Sequence, residues 1–181
     1  MLHPATELQF LGSKIGYGVF ATEHIPRGTV TWTLDSLDRI FLDAEIKALS
    51  LTYGPNLNKY IFRVGQENVF SWDNAKYINH SCKASCLGTP YGFEVAVFDI
   101  SPGMQLTRDY AATMRQDDAS FACGCNEPIC RKVVSGADAN KFRDYWKMAL
   151  KEALNDFYSV SQPLEQLLDA CCFKRSFKEN K

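Results

Sequence analysis

A mostly β, α+β architecture is predicted for this chain by three observations. Short β-rich runs crowd the stretch before Tyr110, turn residues separate them at close spacing, and long helical periodicity begins only after Cys130. Leu8, Phe10 and Leu11 mark a first strand, Gly18–Ala21 a second and Thr29–Leu34 a third, with Pro26-Arg27-Gly28 turning between the last two. Asp43–Leu49 reads as a short helix with Asp43 as N-cap. Tyr60–Val64 and Glu67–Trp72 form a hairpin across Gly65-Gln66. Phe93–Ile100 alternates as a strand with one buried face, and Pro102-Gly103 turns it into Gln105-Leu106-Thr107. From Asp138 to Val160, apolar residues at Phe142, Tyr145, Trp146, Ala149, Leu150, Ala153, Leu154 and Phe157 recur in steps of three and four, the signature of an amphipathic helix. Pro163 opens a second helix, Leu164–Cys172, and a basic polar tail runs from Lys174 to Lys181.

The chain has 181 residues, 46% hydrophobic and 23% charged, which suits one domain with appended helices. A net charge of −1 gives no bulk pull toward nucleic acid or a membrane surface, so neither is expected as a direct partner. No leader pattern opens the chain, and no window reaches the roughly 20 apolar residues of a membrane helix. Seven cysteines is an odd number for a disulfide framework. Thiols used for metal or packing in the cytosol or nucleus are the better expectation.

Chemistry concentrates in three places. Cys123-x-Cys125-x4-Cys130 brings three thiols into one loop, with Gly124 and Pro128 allowing tight turns. Structural zinc takes four ligands, so a fourth must come from elsewhere, with Cys82 leading and Cys86 second. On spacing alone, zinc and unliganded thiols stand level. Cys171-Cys172 sits in the apolar helix and reads as packing. In Tyr77-Ile78-Asn79-His80-Ser81-Cys82 five of the six residues carry a polar or reactive side-chain group, and Leu106-Thr107-Arg108-Asp109-Tyr110 reads as a strand ending in a tyrosine. Each has a plain reading too. Gly16-Tyr17-Gly18 alone is a hairpin turn, His80 alone a core histidine, and Tyr110 alone a packed strand residue.

In order, however, Gly16-Tyr17-Gly18-Val19-Phe20-Ala21, Asn79-His80-Ser81-Cys82, Leu106–Ala111 and Phe121–Arg131 closely resemble the SET-domain protein lysine methyltransferases with their post-SET zinc segment. The likeness covers about Gln9 to Val134. It implies a β-clip fold of small curved sheets with a pseudoknot, in which the Asn79–Cys82 and Leu106–Tyr110 stretches thread past each other, plus C-terminal helices. It implies a SET domain over residues 1–115, a post-SET segment over 116–136, and a helical extension over 137–181 packed on the body.

The resemblance assigns roles residue by residue. Asn79 and His80 would hold S-adenosyl-L-methionine, Ile15, Gly16, Tyr17 and Gly18 would contact it through backbone groups, and Tyr60 and Phe121 would complete the cofactor site. Phe121 with Val133-Val134 would close over the adenine and line the lysine channel. Cys82, Cys123, Cys125 and Cys130 would hold a structural Zn2+, and Tyr110 would be catalytic. The implied activity is methylation of a lysine ε-amine in a protein or peptide, a histone tail or another protein. The alternative is a non-catalytic zinc- and cofactor-binding interaction module. A monomer or weak dimer is expected, and a secreted effector acting in a host nucleus is open if the source is bacterial.

Three positions depart from the family pattern. Arg108 stands two before the tyrosine, where an aromatic residue is common. Lys76 replaces an arginine, and Lys132 replaces a glycine after Cys130-Arg131.

Overall fold

The computed structural model of the chain describes residues 1–65 and 67–168. Strands β1 (Thr6–Gly12) and β2 (Gly16–Ala21) form an antiparallel hairpin. β3 (Val30–Thr33) follows the expected turn, where Thr29 N donates to Pro26 O at 3.1 Å and Gly28 takes φ 89°. β4 (Arg39–Phe41) leads into helix α1 (Asp43–Tyr53), and β5 (Ile61–Val64) pairs with β6 (Glu67–Phe70) as the expected hairpin.

The cap of α1 differs from the sequence expectation. Leu42, not Asp43, holds the N-cap position, and Leu42 N–H donates to the Glu45 carboxylate at 2.7 Å. Asp43 is drawn off instead by Asn68 Nδ2 (2.7 Å) and Arg115 Nη1 (2.6 Å). Long-range charge pairing thus overrides the local preference for a carboxylate cap.

A second group of strands carries the centre of the fold: β7 (Asn79–His80), β8 (Cys86–Gly88), β9 (Phe93–Ala96) and β10 (Thr107–Arg108). Together with β3 they form a five-stranded sheet in the order β3-β9-β8-β10-β7. All four residues of β9 are buried, rather than the single face that alternation predicts. The reason is that the sheet is covered on both sides: one core gathers Trp32, Ile25, Ile78, Ile100 and Leu106, and the other sets Phe93 and Val95 against Phe157, Leu164 and Leu168.

β7 and β8 are joined only by residues 81–85, yet β10 lies between them. It runs parallel to both, with Thr107 opposite Asn79, Arg108 opposite His80, and Arg108 opposite Cys86. Ser81 N–H donates to Arg108 O at 3.0 Å, so the connection passes across β10. This is the threaded crossing the resemblance implies.

β11 (Phe121–Ala122) pairs with β12 (Val133–Val134), and α2 (Ala139–Asp156) and α3 (Glu165–Leu168) follow. α2 buries Trp146 against the cysteine-bearing side and Ala153 against the main sheet, so its apolar stripe packs on the body of the protein except at Tyr145, which is exposed. Gln162 ties this end to the edge strand: its side-chain oxygen accepts from Val30 N (2.8 Å) and its nitrogen donates to Gly28 O (2.9 Å). Gly28 also lets the helix close in, since a Cβ there would lie 2.7 Å from Ala153 O. The far end of the helix expected over Leu164–Cys172, the Cys171-Cys172 pair and the basic tail lie outside the described residues.

Candidate functional site

One cavity of about 1550 Å³ opens beside the crossing. Ile15, Gly16, Tyr17, Tyr60, Asn79, His80, Tyr110 and Phe121 all line it, from segments spread over most of the chain. Gly18 is not among the lining residues. It sits behind the wall, where a Cβ would come within 2.5 Å of Gln105 Nε2, 2.8 Å of Leu11 Cδ1 and 3.1 Å of Asn79 Nδ2. The two glycines of the motif therefore act differently: Gly16 supplies a φ of 90° at the end of the hairpin turn, and Gly18 supplies room.

That room lets Asn79 reach across. Its Nδ2 donates to Tyr17 O at 2.9 Å, fixing the β1–β2 hairpin against β7. Tyr17, Tyr77 and Tyr60 then continue edge to face, with ring centroids 5.6 Å apart at each step. Lys59 Nζ donates to Ile15 O at 3.4 Å, bringing the turn before β5 to the same rim.

His80 is a joint more than an exposed ligand. Its side chain is 6% exposed, so what it offers the cavity is chiefly main chain. Nδ1 accepts the Tyr110 N–H at 3.2 Å, which puts the ring proton on Nε2, 3.5 Å from Cys82 Sγ. Burial holds the imidazole below its ordinary pKa, with Asp109 opposing, and its ring packs on Tyr110 and Phe121, each 5.4 Å away.

Tyr110 donates its hydroxyl to Ile78 O at 2.8 Å. Burial raises its pKa, with Arg108 opposing, so the group is a neutral phenol. The phenolic lone pairs and the second lone pair of the Ile78 carbonyl can still accept, which suits an amine between them.

The strand expected over Leu106–Tyr110 is only β10, and Tyr110 opens a 3-10 turn (Tyr110–Ala112) just beyond it; Arg108 does not project freely from β10. Its Nε lies 2.8 Å from the Glu94 carboxylate, Nη1 donates to Ala75 O at 3.3 Å, and the guanidinium stacks on Phe62 at 4.1 Å. Lys76, without a guanidinium fork, reaches the carbonyls of Trp72 (3.1 Å) and Asp73 (2.6 Å). Lys132 takes φ 63°, a left-handed conformation that explains why glycine suits this position.

Cys82, Cys123, Cys125 and Cys130 come together with all four sulfurs within 4.8 Å of one another, and Cys82 Sγ is 3.8 Å from Cys123 Sγ. Tetrahedral zinc with Zn–S bonds of about 2.3 Å sets sulfurs about 3.8 Å apart, so the donor set fits. Cys86, the second candidate, is fully buried in the core beneath the sheet, where desolvation pushes its thiol up to about 11.

The sequence reading missed two residues that close this site, Arg131 and Trp146, and gave no role to the carboxylate on which they meet, Asp109. Arg131 Nη2 reaches Asp109 at 2.6 Å while its N and Nε donate to Cys82 Sγ, each at 3.3 Å. Trp146 Nε1 donates to the other Asp109 oxygen at 3.1 Å. The available signal was a buried-type carboxylate directly before Tyr110 and an arginine directly after Cys130.

A model of the SET domain matches residues 16–111. The chain is 32% identical over 96 residues to Histone-lysine N-methyltransferase 2D of Homo sapiens, covering 44% of this chain and 2% of that protein. It is 26% identical over 136 residues to Histone-lysine N-methyltransferase trr of Drosophila melanogaster, covering 68% of this chain and 6% of that protein. The chain thus spans only a small part of the curated relatives it matches. The methyltransferase domain of human Histone-lysine N-methyltransferase SETMAR superposes with a TM-score of 0.55 at 17% identity, over 74% of this chain and 58% of that one, a likeness of fold.

Proposed function

The chain belongs to the SET-domain family, and from that premise we propose that it is an S-adenosylmethionine-dependent methyltransferase acting on the ε-amine of lysine in a protein. The observation that carries this reading is the pairing of the Tyr110 hydroxyl with the Ile78 carbonyl at the cavity wall. When bound, the cofactor supplies a methyl already activated on a sulfonium, so neither a catalytic metal nor a covalent enzyme intermediate is required. The residues that would hold it are Ile15, Gly16, Tyr17, Tyr60, Asn79, His80 and Phe121, with Gly18 acting from behind.

The protein's own task is to strip and align the amine. A lysine with pKa near 10.4 is neutral in about one molecule in two thousand at pH 7, a cost of roughly 4.6 kcal/mol. An enclosure that excludes water lowers that pKa. The Tyr110 oxygen and the Ile78 carbonyl accept from the amine N–H groups, which points its lone pair along the cavity. Zinc on four thiolates leaves no open position, so its part is structural, pinning residues 123–130 to the threaded connection through Cys82.

We read residues 1–115 as the catalytic body, 116–136 as the zinc segment and 137–181 as an extension. The names of the relatives favour a histone tail as substrate. A reducing compartment, cytosol or nucleus, suits the thiol ligands.

The test is incubation with methyl-labelled S-adenosylmethionine and a panel of histones and other basic proteins. Label should enter lysine, and Tyr110→Phe should abolish at least about nine-tenths of it while cofactor still binds. Wild-type transfer by Tyr110→Phe would remove Tyr110 from the mechanism. No transfer to any protein would remove the enzyme reading.

A further inference from the structure

We propose that Trp146 is a positioning residue for the catalytic wall, acting through Asp109 on the backbone that carries Tyr110 and on the ring of His80; the kinetic part of this proposal rests on the methyltransferase reading above. Asp109 is 6% exposed and directly precedes Tyr110. A carboxylate so enclosed is stable only when its oxygens are matched by donors. One oxygen takes Arg131 Nη2 at 2.6 Å and the Ala111 N–H at 3.2 Å, and lies 3.8 Å from His80 Nδ1. The other takes the indole N–H of Trp146 at 3.1 Å. His80 Nδ1 in turn accepts the Tyr110 N–H, so the Asp109 carboxylate and the His80 ring both border the backbone of Tyr110.

α2 grips this set at two points. Near its start, the Asp138 carboxylate stands 3.2 Å from Arg131 Nη1. Two turns further on, Trp146 is 7% exposed among Cys82, Leu87, Ala111 and Val134. Packing alone would need only a large apolar ring there. The indole differs from such a ring by its N–H, and the N–H is spent on the one carboxylate that abuts the proposed catalytic residue. Removing it leaves an Asp109 oxygen short of a donor, and the carboxylate then turns toward Arg131, its remaining charged donor. That movement drags the peptide between Asp109 and Tyr110. Helix α2 is therefore part of the working site although it contributes no atom to the cavity.

Two variants separate hydrogen bonding from packing. Trp146→Phe removes the N–H and some volume, and site-specific benzothienylalanine at 146 keeps the shape of indole but replaces N–H by sulfur. Each protein is measured for zinc content, S-adenosylmethionine affinity, kcat and KM on the labelled substrate, and the NMR signals of the Tyr110 amide and the His80 ring. Both variants should bind zinc and cofactor as the wild type does, lose about tenfold in kcat with KM unchanged, and shift the Tyr110 and His80 signals. A benzothienylalanine protein with wild-type kcat and unmoved signals would overturn the proposal. If the wild type itself transfers no methyl, the enzyme reading fails, and the NMR signals then decide: moved signals uphold the positioning role and unmoved signals end it.

Discussion

Arg108 and Glu94 form a buried ion pair, Nε to carboxylate oxygen 2.8 Å, with the two residues 8% and 7% exposed. It joins β10 to β9 across β8, and β10 leads directly into the turn that carries Tyr110. Such a pair resists the loss of one partner more than the loss of both, because a lone buried charge keeps its full desolvation penalty. Glu94→Gln should lower stability by about 3–5 kcal/mol, whereas Arg108→Leu with Glu94→Leu should cost clearly less. Urea unfolding of the two variants checks this; equal losses would mean the pair does not behave as a buried unit.

Lys132 holds a left-handed backbone at φ 63°, with its carbonyl accepting Cys123 N at 2.7 Å. An L-residue with a Cβ is strained there, and glycine is not. Lys132→Gly should gain about 0.5–1 kcal/mol after the entropy of the freer unfolded chain is subtracted, with zinc content unchanged. Lys132→Val, branched at Cβ, should lose stability instead. Thermal melts of the zinc-loaded proteins test both signs.

His3 is buried, and its Nδ1 accepts Ala5 N–H at 3.2 Å. Desolvation lowers its pKa from the ordinary 6.5, against the opposing pull of Glu23. A depressed folded value means that stability is present above pH 6.5 and is lost as pH falls through the folded value, because the unfolded chain takes up the proton first. His3→Asn keeps an acceptor at that place and cannot titrate. The fall in stability just below pH 6.5 should therefore be shallower in His3→Asn than in wild type, as read by urea midpoints across that range. Parallel curves would show that His3 does not carry it.

Sequence made several strands and the cysteine loop legible because their causes are local or compositional. The β5–β6 hairpin follows from β-branched runs around Gly65-Gln66, and three zinc-type thiols share one loop. Cys82 led Cys86 as the candidate fourth thiol before any resemblance, and the order of motifs strengthened that choice across the 41 residues that separate it from Cys123. What stayed hidden was the traffic between distant side chains. Asp43 looks like a cap until Arg115, 72 residues on, claims its carboxylate. Trp146 looks like one more apolar residue on a helical stripe until its N–H is placed 37 residues back, on Asp109. Periodicity reports which face is buried, not which polar atom that face will meet.

The position of β10 between β7 and β8 also sets an order on folding. The five residues from Ser81 to Ser85 make the short side of an eye through which the 107–108 segment must pass. Once Cys82 is fastened to Cys123, Cys125 and Cys130, that short side is pinned near its start to the chain that follows the threading segment. Strand insertion has therefore to precede metal closure. A chain that meets zinc while still open should be caught with the eye shut and the strand outside, and should refold more slowly than one given the metal last.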